Sequence, residues 1–196
     1  MDREKISAPF NLAEFITRFQ LQTLQPCFPA YQSRQAAVLV PIVCRESPTL
    51  LLTRRASGMR KHAGQVAFPG GAADREDSSL IVTALREAQE EVAIPPQNVH
   101  ILGTLPPADS VSGFQVTPVI GLISPQTRFH ANESEVAEWF EMPMEDALAL
   151  ARYYPLDIER QEKRHRVYLS WYRQQFVWGL TAAIIRQLAL HVSHNT

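Results

Sequence analysis

The sequence has little cysteine and no long hydrophobic run. Cys27 and Cys44 are the only cysteines among 196 residues, and neither belongs to a CxxC pair. This argues against a disulfide framework and against a zinc site, and it fits a reducing cytoplasm, where we expect the protein to be. The longest apolar run, Ala36–Val43, is far too short to span a bilayer and is typical of a buried strand.

The sequence also lacks an excess of charge of either sign. Lysine and arginine number 19 against 20 aspartates and glutamates, a formal net charge of -1. No global field therefore attracts nucleic acid or an anionic membrane, and we expect neither as a partner. The first nine residues are charged and polar and do not resemble a secretory signal. A polyanionic small molecule would need a local cluster of basic side chains.

Helix and strand patterns are mixed without strict alternation, which predicts an α/β fold with a mixed sheet covered by helices. Asn11 is expected to cap a helix, with Glu14 completing a capping box, so residues 1–30 form a helical extension. The predicted strands are Ala36–Val43, Thr49–Thr53, Val99–Leu105, Gln115–Ile123, Val136–Phe140 and Val167–Tyr172. The predicted helices are Leu80–Val92, Met144–Ala151 and Leu180–Val192. Length and the absence of an internal boundary predict a single domain over residues 1–196.

The predicted helix Leu80–Val92 carries carboxylates on one side and an apolar stripe on another. Glu87 and Glu91 are i, i+4 neighbours, and Glu90 lies one step further round. Repulsion between like charges at this spacing is removed by a divalent cation, and Mg²⁺ or Mn²⁺ prefers carboxylate oxygen. A solvated acidic face is the alternative interpretation. The apolar stripe comprises Ile81, Leu85, Ala88 and Val92.

The stretch Arg54–Asp77 is predicted to be a long irregular loop, and loops of this length are usually functional or disordered. Gly70 and Gly71 allow a positive φ and a close approach of backbone to a metal or a phosphate, although a plain glycine turn would look the same. Four basic residues lie close together in this stretch with no acid between them, and arginine forks suit phosphate oxygens. An exposed basic loop is the alternative. The four are Arg54, Arg55, Arg60 and Lys61.

Residues 70–94 resemble the box of the Nudix hydrolases, G-x5-E-x7-R-E-U-x-E-E-x-G-U, where U is a bulky aliphatic residue. The positions that match are Gly71, Arg86, Glu87, Glu90, Glu91 and Ile94. Asp77 stands at the first glutamate of the box, and the spacer from Asp77 to Arg86 is one residue longer. Ala88 is small for its aliphatic position, and Ala93 replaces the second glycine.

A narrower resemblance lies upstream, to the coenzyme A pyrophosphatase branch of the same family, whose signature is close to L-L-T-x-R-S-x3-R-x3-G-x3-F-P-G-G. Ala56 replaces the serine. The residues in register are Leu51, Leu52, Thr53, Arg55, Arg60, Gly64, Phe68, Pro69, Gly70 and Gly71. Box and signature together form a specific combination.

These resemblances imply an α/β/α sandwich with a mixed β-sheet and a pyrophosphohydrolase that converts coenzyme A, or a derivative, to 4′-phosphopantetheine and 3′,5′-ADP. They imply Mg²⁺ or Mn²⁺ held by Glu87, Glu90, Glu91 and Gly71, and a role for Arg86 in orienting a glutamate. The expected substrate contacts are Arg54, Arg55, Arg60, Lys61, Gly70 and Gly71.

The general base is expected on a later loop, at Glu133 or Glu135. The alternatives are a Nudix hydrolase of ADP-ribose, a dinucleotide or another nucleoside diphosphate derivative, and a Nudix-like module that senses a nucleotide without cleaving it. The sequence leaves the oligomeric state open, with a homodimer among the expected states.

Overall fold

The structure, a computed structural model, describes residues 10–22, 34–58, 62–160 and 163–193. Its helices are α1 (Leu12–Leu21), α2 (Leu80–Val92), α3 (Met144–Leu148) and α4 (Gly179–Ser193). Its strands are β1 (Arg34–Val43), β2 (Thr49–Arg55), β3 (Val66–Ala67), β4 (Gly70–Ala72), β5 (Val99–Thr104), β6 (Ala108–Asp109), β7 (Phe114–Ile123), β8 (Val136–Pro143), β9 (Tyr154–Arg160), β10 (Lys163–Tyr172) and β11 (Gln175–Trp178). Within the described part of the chain, no helix combines the length and the apolar character needed to cross a bilayer.

Eight strands form one mixed sheet. Its central path runs β3-β2-β1-β7-β5, with β4 also paired to β1, β6 to β7 and β8 to β2. Strands β1 and β7 are parallel over ten residue pairs, from Arg34–Phe114 to Val43–Ile123, and the other pairs are antiparallel. A second, smaller antiparallel sheet has the order β11-β10-β9.

Side chains of β1 alternate between two helical layers, because successive residues of a strand point to opposite faces. Leu39 and Val43 share a core cluster with α2, whereas Val40 and Ile42 share one with α1 and α4. The α2 side is filled by the small residues Ala84 and Ala88, and the other side by larger residues. The larger residues include Phe15, Phe19, Ile184, Ile185 and Leu188. Helices therefore cover both faces of the sheet, which confirms the predicted α/β/α sandwich.

Several boundaries differ from the predictions. The Asn11 side chain accepts from Glu14 N at 3.1 Å, but the Glu14 carboxylate pairs with Arg18 at 2.6 Å, so the predicted capping box is half formed. The predicted irregular loop contains β3 and β4, which are held by β2 and β1. Strands β6, β9 and β11 were not predicted. Cys44 has a free thiol, and Cys27 lies outside the described residues.

Helix α2 begins and ends at identifiable caps. Ser79 Oγ accepts from Val82 N at 3.3 Å. At the other end, Ala93 adopts φ 57° and ψ 36°, and its N–H is directed to the carbonyls of Ala88 and Gln89. A left-handed residue at this position is ordinarily glycine, and a Cβ there costs about 1–2 kcal/mol. The alanine at the second glycine position of the box therefore strains the end of the helix that carries the glutamates.

We expect Ala93→Gly to raise the free energy of unfolding by about 0.5–1 kcal/mol, the relieved strain less the added entropy of the unfolded chain. Urea denaturation would measure it. The matched control is Ala13→Gly, an exposed position inside α1, which should lose stability by about 0.5–1 kcal/mol. A loss of stability in both variants would contradict the strain at Ala93.

Candidate active site

Helix α2 places three glutamates at different depths beside β4. Ala84, Ala88 and Val92 are fully buried against β1, which fixes the rotation of the helix. Glu91 is consequently buried, with its side chain 4% exposed, while the side chain of Glu87 is 16% exposed and that of Glu90 is 55% exposed. The three carboxylates thus form a gradient from core to solvent along one side of the helix.

The two glycines of β4 bring backbone against this helix and against β1. Gly70 is opposite Val38 and Gly71 is opposite Ala37 in the β1–β4 ladder. A Cβ on Gly70 would lie 2.4 Å from the Ala37 carbonyl oxygen, and a Cβ on Gly71 would lie 2.5 Å from the Glu87 carboxylate. Both glycines are extended, so the predicted positive-φ turn is wrong. A Cβ at Gly70 would meet the backbone of β1, whereas a Cβ at Gly71 would require the Glu87 carboxylate to move. The close approach of backbone to a metal or a phosphate stays a prediction.

Arg86 contacts several acidic residues in the exposed half of the site. Its Nη1 contacts Glu87 Oε1 at 2.9 Å and Glu90 Oε2 at 3.2 Å. Its Nε and Nη2 donate to the two oxygens of Asp77 at 3.2 and 3.0 Å, and Nη2 also reaches the Ala72 carbonyl. Arg86 therefore holds two helix glutamates and ties them to β4.

Asp77 stands at the first glutamate position of the box. The Arg86 guanidinium, with help from Asp74 N and the Thr83 hydroxyl, holds the pKa of its carboxyl well below the usual range. An ionised Asp77 therefore faces Arg86, although the spacer between them has an extra residue. The sequence did not show what Asp77 does. Its position at the first glutamate of the box was the signal that could have predicted its contact with Arg86.

Arg55 closes the buried half of the site. It projects from β2 toward α2, and its Nη1 lies 3.8 Å from Glu91 Oε1. Its Nε is buried and has no hydrogen-bond partner. Arg54 is the next residue of the strand and faces the other way, where its Nε meets Glu138 Oε1 at 2.9 Å. Gln175 donates to the same Glu138 oxygen at 2.7 Å.

The four basic residues predicted as one substrate-binding cluster are therefore divided. Arg55 belongs to the site, whereas Arg54 belongs to an ion pair on the opposite face of β2. Arg60 and Lys61 lie outside the described residues. The separation follows from strand geometry, since adjacent residues of a strand point to opposite faces.

The segment before β8 brings a fourth carboxylate to the site. Its backbone is tied to the end of α2 by His130 N to Val92 O at 3.1 Å and Asn132 N to Glu91 O at 2.9 Å. Ala56 N donates to the Glu135 carbonyl at 2.8 Å. The charge of Glu135 acts on the pKa of both Glu87 and Glu91. Glu133, the other predicted base, is exposed on the same turn.

Burial and repulsion between carboxylates raise the pKa values of Glu87 and Glu91. Burial raises the pKa of Glu91 to about 8; Arg55 opposes the rise, and the charges of Glu87 and Glu135 add to it. Burial also raises the pKa of Glu87, against the effect of Arg86. A cation of higher charge density than a guanidinium at 3.8 Å would stabilise the ionised form of Glu91.

The donor set consists of carboxylate and backbone oxygens, which suits a hard divalent cation. Among the described residues, however, no three His, Cys, Asp or Glu side chains converge as a ready-made metal cage. Arg86 accounts for this, because it draws Glu87 and Glu90 toward itself. The buried, poorly compensated Glu91 carboxylate and the glycine backbone against Glu87 fit a cation in chemistry.

Comparison with known proteins bears on the family and the fold of the chain. Residues 33–171, more than half of the chain, match the model of the NUDIX domain. A Nudix hydrolase named NudL from Pectobacterium atrosepticum is 74% identical over 184 residues, covering 94% of this chain and 96% of that protein. NudL from Yersinia enterocolitica is 65% identical over 183 residues, covering 93% and 94%.

A solved structure supports the fold alone. The crystal structure of DR0079 from Deinococcus radiodurans is similar with a TM-score of 0.54 at 12% identity, covering 84% of this chain and 90% of that one.

We expect Glu91→Gln to stabilise the metal-free protein. Buried Glu91, with a pKa of about 8, keeps its proton in the folded state, whereas the unfolded chain loses it above about pH 4.3. The free energy of unfolding of the wild type should therefore fall as pH rises from about 5 to 8, and the variant should lack this fall. By linkage the gain is on the order of 5 kcal/mol at pH 8, measured by urea denaturation in EDTA.

The matched control is Glu90→Gln, on the same helix with a half-exposed side chain. Its exposed ion pair with Arg86 contributes little, so its stability should follow the wild type within about 1 kcal/mol at every pH. A Glu91→Gln curve that is parallel to the wild-type curve between pH 5 and 8 would show that the carboxyl titrates normally.

Proposed function

The chain belongs to the Nudix family of hydrolases, and from that premise we propose that its substrate is coenzyme A or a derivative of coenzyme A. Hydrolysis of the diphosphate would yield 4′-phosphopantetheine and 3′,5′-ADP. The upstream signature from Leu51 to Gly71 supports this branch of the family. It also belongs to the site, since it contributes Arg55, Gly70 and Gly71.

The observation that carries the proposal is the Arg55 guanidinium, which lies beside Glu91 and whose buried Nε has no hydrogen-bond acceptor. A buried guanidinium Nε without an acceptor is costly, because a buried polar group loses its bonds to water. A phosphate oxygen of the substrate supplies the missing acceptor, and arginine binds phosphate through its planar fork. The neighbouring carboxylates would hold a cation that neutralises charge on the same diphosphate.

We assign Glu87, Glu90 and Glu91, with the backbone of Gly71, as the groups that hold Mg²⁺ or Mn²⁺. When bound, such a cation neutralises diphosphate charge and lowers the pKa of a water molecule. Glu87 and Glu90, which contact Arg86 here, would hold the cation, and Asp77 anchors Arg86 independently of them. Arg86 is thus a positioning residue, tied to Asp77 and to the Ala72 carbonyl.

We assign Glu135 as the general base and keep Glu133 as the alternative. Glu135 is half-buried and close enough for its charge to act on Glu87 and Glu91, whereas Glu133 is exposed. A water oxygen forms the new bond to one phosphorus while its proton passes to the carboxylate. The bond between that phosphorus and the bridging oxygen breaks, and the other phosphate leaves.

The remaining assignments are part of the same proposal. Arg60 and Lys61 would contact the substrate phosphates from the segment between Arg55 and Gly64, whereas Arg54 is left to its pair with Glu138. Residues 1–196 would act as one domain, in the cytoplasm, on a small molecule and without nucleic acid.

The decisive experiment is product analysis of coenzyme A incubated with the purified protein and Mg²⁺ or Mn²⁺. We expect 3′,5′-ADP to appear in a metal-dependent manner. Glu91→Gln should reduce kcat/KM by about 10³-fold or more, since a cation ligand is lost. Arg55→Met should reduce it by about 10–100-fold, the cost of a charge-assisted phosphate contact.

The matched control is Arg54→Met, the same change one residue away on the opposite face of β2. It should leave kcat/KM within about threefold, because its pair with Glu138 is partly exposed. Cleavage of ADP-ribose or a dinucleotide with coenzyme A intact would overturn the substrate but keep the site. Absence of cleavage on a broad panel of diphosphates would favour a nucleotide-sensing module.

A further inference from the structure

One side of the small sheet is apolar from β11 across to Tyr154, Leu156 and Ile158 of β9, and His165 of β10, opposite Ile158, marks its polar end. In the ladder of β9, β10 and β11, Tyr154 is opposite Leu169, which is opposite Trp178. Residues directly opposite each other project to the same side of a sheet, and alternate residues along each strand join them there. We call this side the outer face. Its largest members are Tyr154, Leu156, Ile158, Trp171, Phe176 and Trp178.

The outer face is open to solvent in the described part of the chain. Tyr154 is 68% exposed, Trp171 61% and Leu156 46%. The rings are ordered against one another, with Trp171 and Phe176 stacked at 4.6 Å between centroids. These side chains together expose on the order of 500 Å² of apolar surface, at the upper end of what a soluble monomer leaves uncovered.

The opposite side of the small sheet is covered where it meets the rest of the protein, near β11 and α4. Ser170 and Tyr172 of β10 and Val177 of β11 are buried, and Tyr168 lies under the Arg186 guanidinium of α4 at 4.5 Å. The outer face is therefore a second apolar side rather than the one that anchors the sheet. Strand β9 is in addition an edge strand, and an exposed apolar edge invites pairing unless something covers it.

The charges described on β9 and β10 lie away from the outer face. Asp157 pairs with Arg166 at 2.7 Å and lies 3.9 Å from Arg164, all on the opposite side. Arg166 is thus paired with Asp157, and this ion pair lies on the side away from the outer face. The net charge of -1 also means that two copies of the chain repel each other very little.

We propose that the outer face is the contact surface between two copies of this chain, related by a two-fold axis. A two-fold contact needs a patch that is complementary to itself, and a flat apolar sheet face meets that requirement. Two such faces bury on the order of 1,000 Å² from these side chains alone, which reaches the size of a specific interface. The proposal does not depend on the substrate or on the metal.

The test is sedimentation velocity of the full-length chain from low to high micromolar concentration. We expect the wild type to sediment with twice the mass of the chain. The double variant Tyr154→Glu/Leu156→Glu should dissociate at least about tenfold more readily, because four carboxylates would face one another across the axis. The matched control is Leu21→Glu, at a position 77% exposed on α1, which should leave the dimer intact.

A second readout does not require a variant. Trp171 and Trp178 become exposed to solvent when the dimer dissociates. The tryptophan emission of the wild type should therefore shift to longer wavelength on dilution. A wild type that stays monomeric throughout, or a double variant with native circular dichroism that remains a dimer, would overturn the proposal. Flotation of a monomeric wild type with anionic vesicles, lost in the double variant, would also overturn it in favour of a membrane.

Discussion

The docking of α2 on the central strand β1 is the contact on which the site depends. Ala84 and Ala88 are small enough for the helix to lie close to the sheet, and their complete burial fixes the rotation of the helix. That rotation carries Glu91 into the interior along with the apolar stripe. An acidic residue so placed has few means of compensation inside a protein, and β2 supplies one of them in Arg55, at a distance too long for a full ion pair.

The rest of the site serves as a frame for that helix. Strand β4 lies against its exposed half, where a Cβ at Gly70 would meet the backbone of β1 and a Cβ at Gly71 would meet the Glu87 carboxylate. The segment 130–136 lies against its carboxyl end and is joined to it by backbone hydrogen bonds from His130 and Asn132. The carboxylates thus rest on elements that are themselves anchored in the sheet, which limits how far they spread under their mutual repulsion.

Much of this was predictable from sequence, and the failures have physical reasons. The helix Leu80–Val92 and its serine cap were readable because periodicity and capping are local. That Arg54 and Arg55 lie on opposite faces of β2 was not readable. Adjacent residues alternate only within a strand, and the sequence did not show that β2 extends to Arg55. The stretch Arg54–Asp77 looked irregular because β3 and β4 are short and are stabilised by neighbouring strands rather than by their own pattern. Charged residues likewise concealed β9, whose apolar positions occupy one side only.

The parallel pairing of β1 with β7 also constrains when the sheet can fold during synthesis. Arg34 is opposite Phe114, so β1 cannot pair with β7 until more than a third of the chain has been synthesised after it. Pairings between such distant segments form slowly, and a chain synthesised from its amino end exposes β1 in the meantime. Glu135 and the loop that bears it emerge later still. The candidate site therefore cannot be complete until the chain has been synthesised beyond residue 135, although β1 was made about a hundred residues earlier.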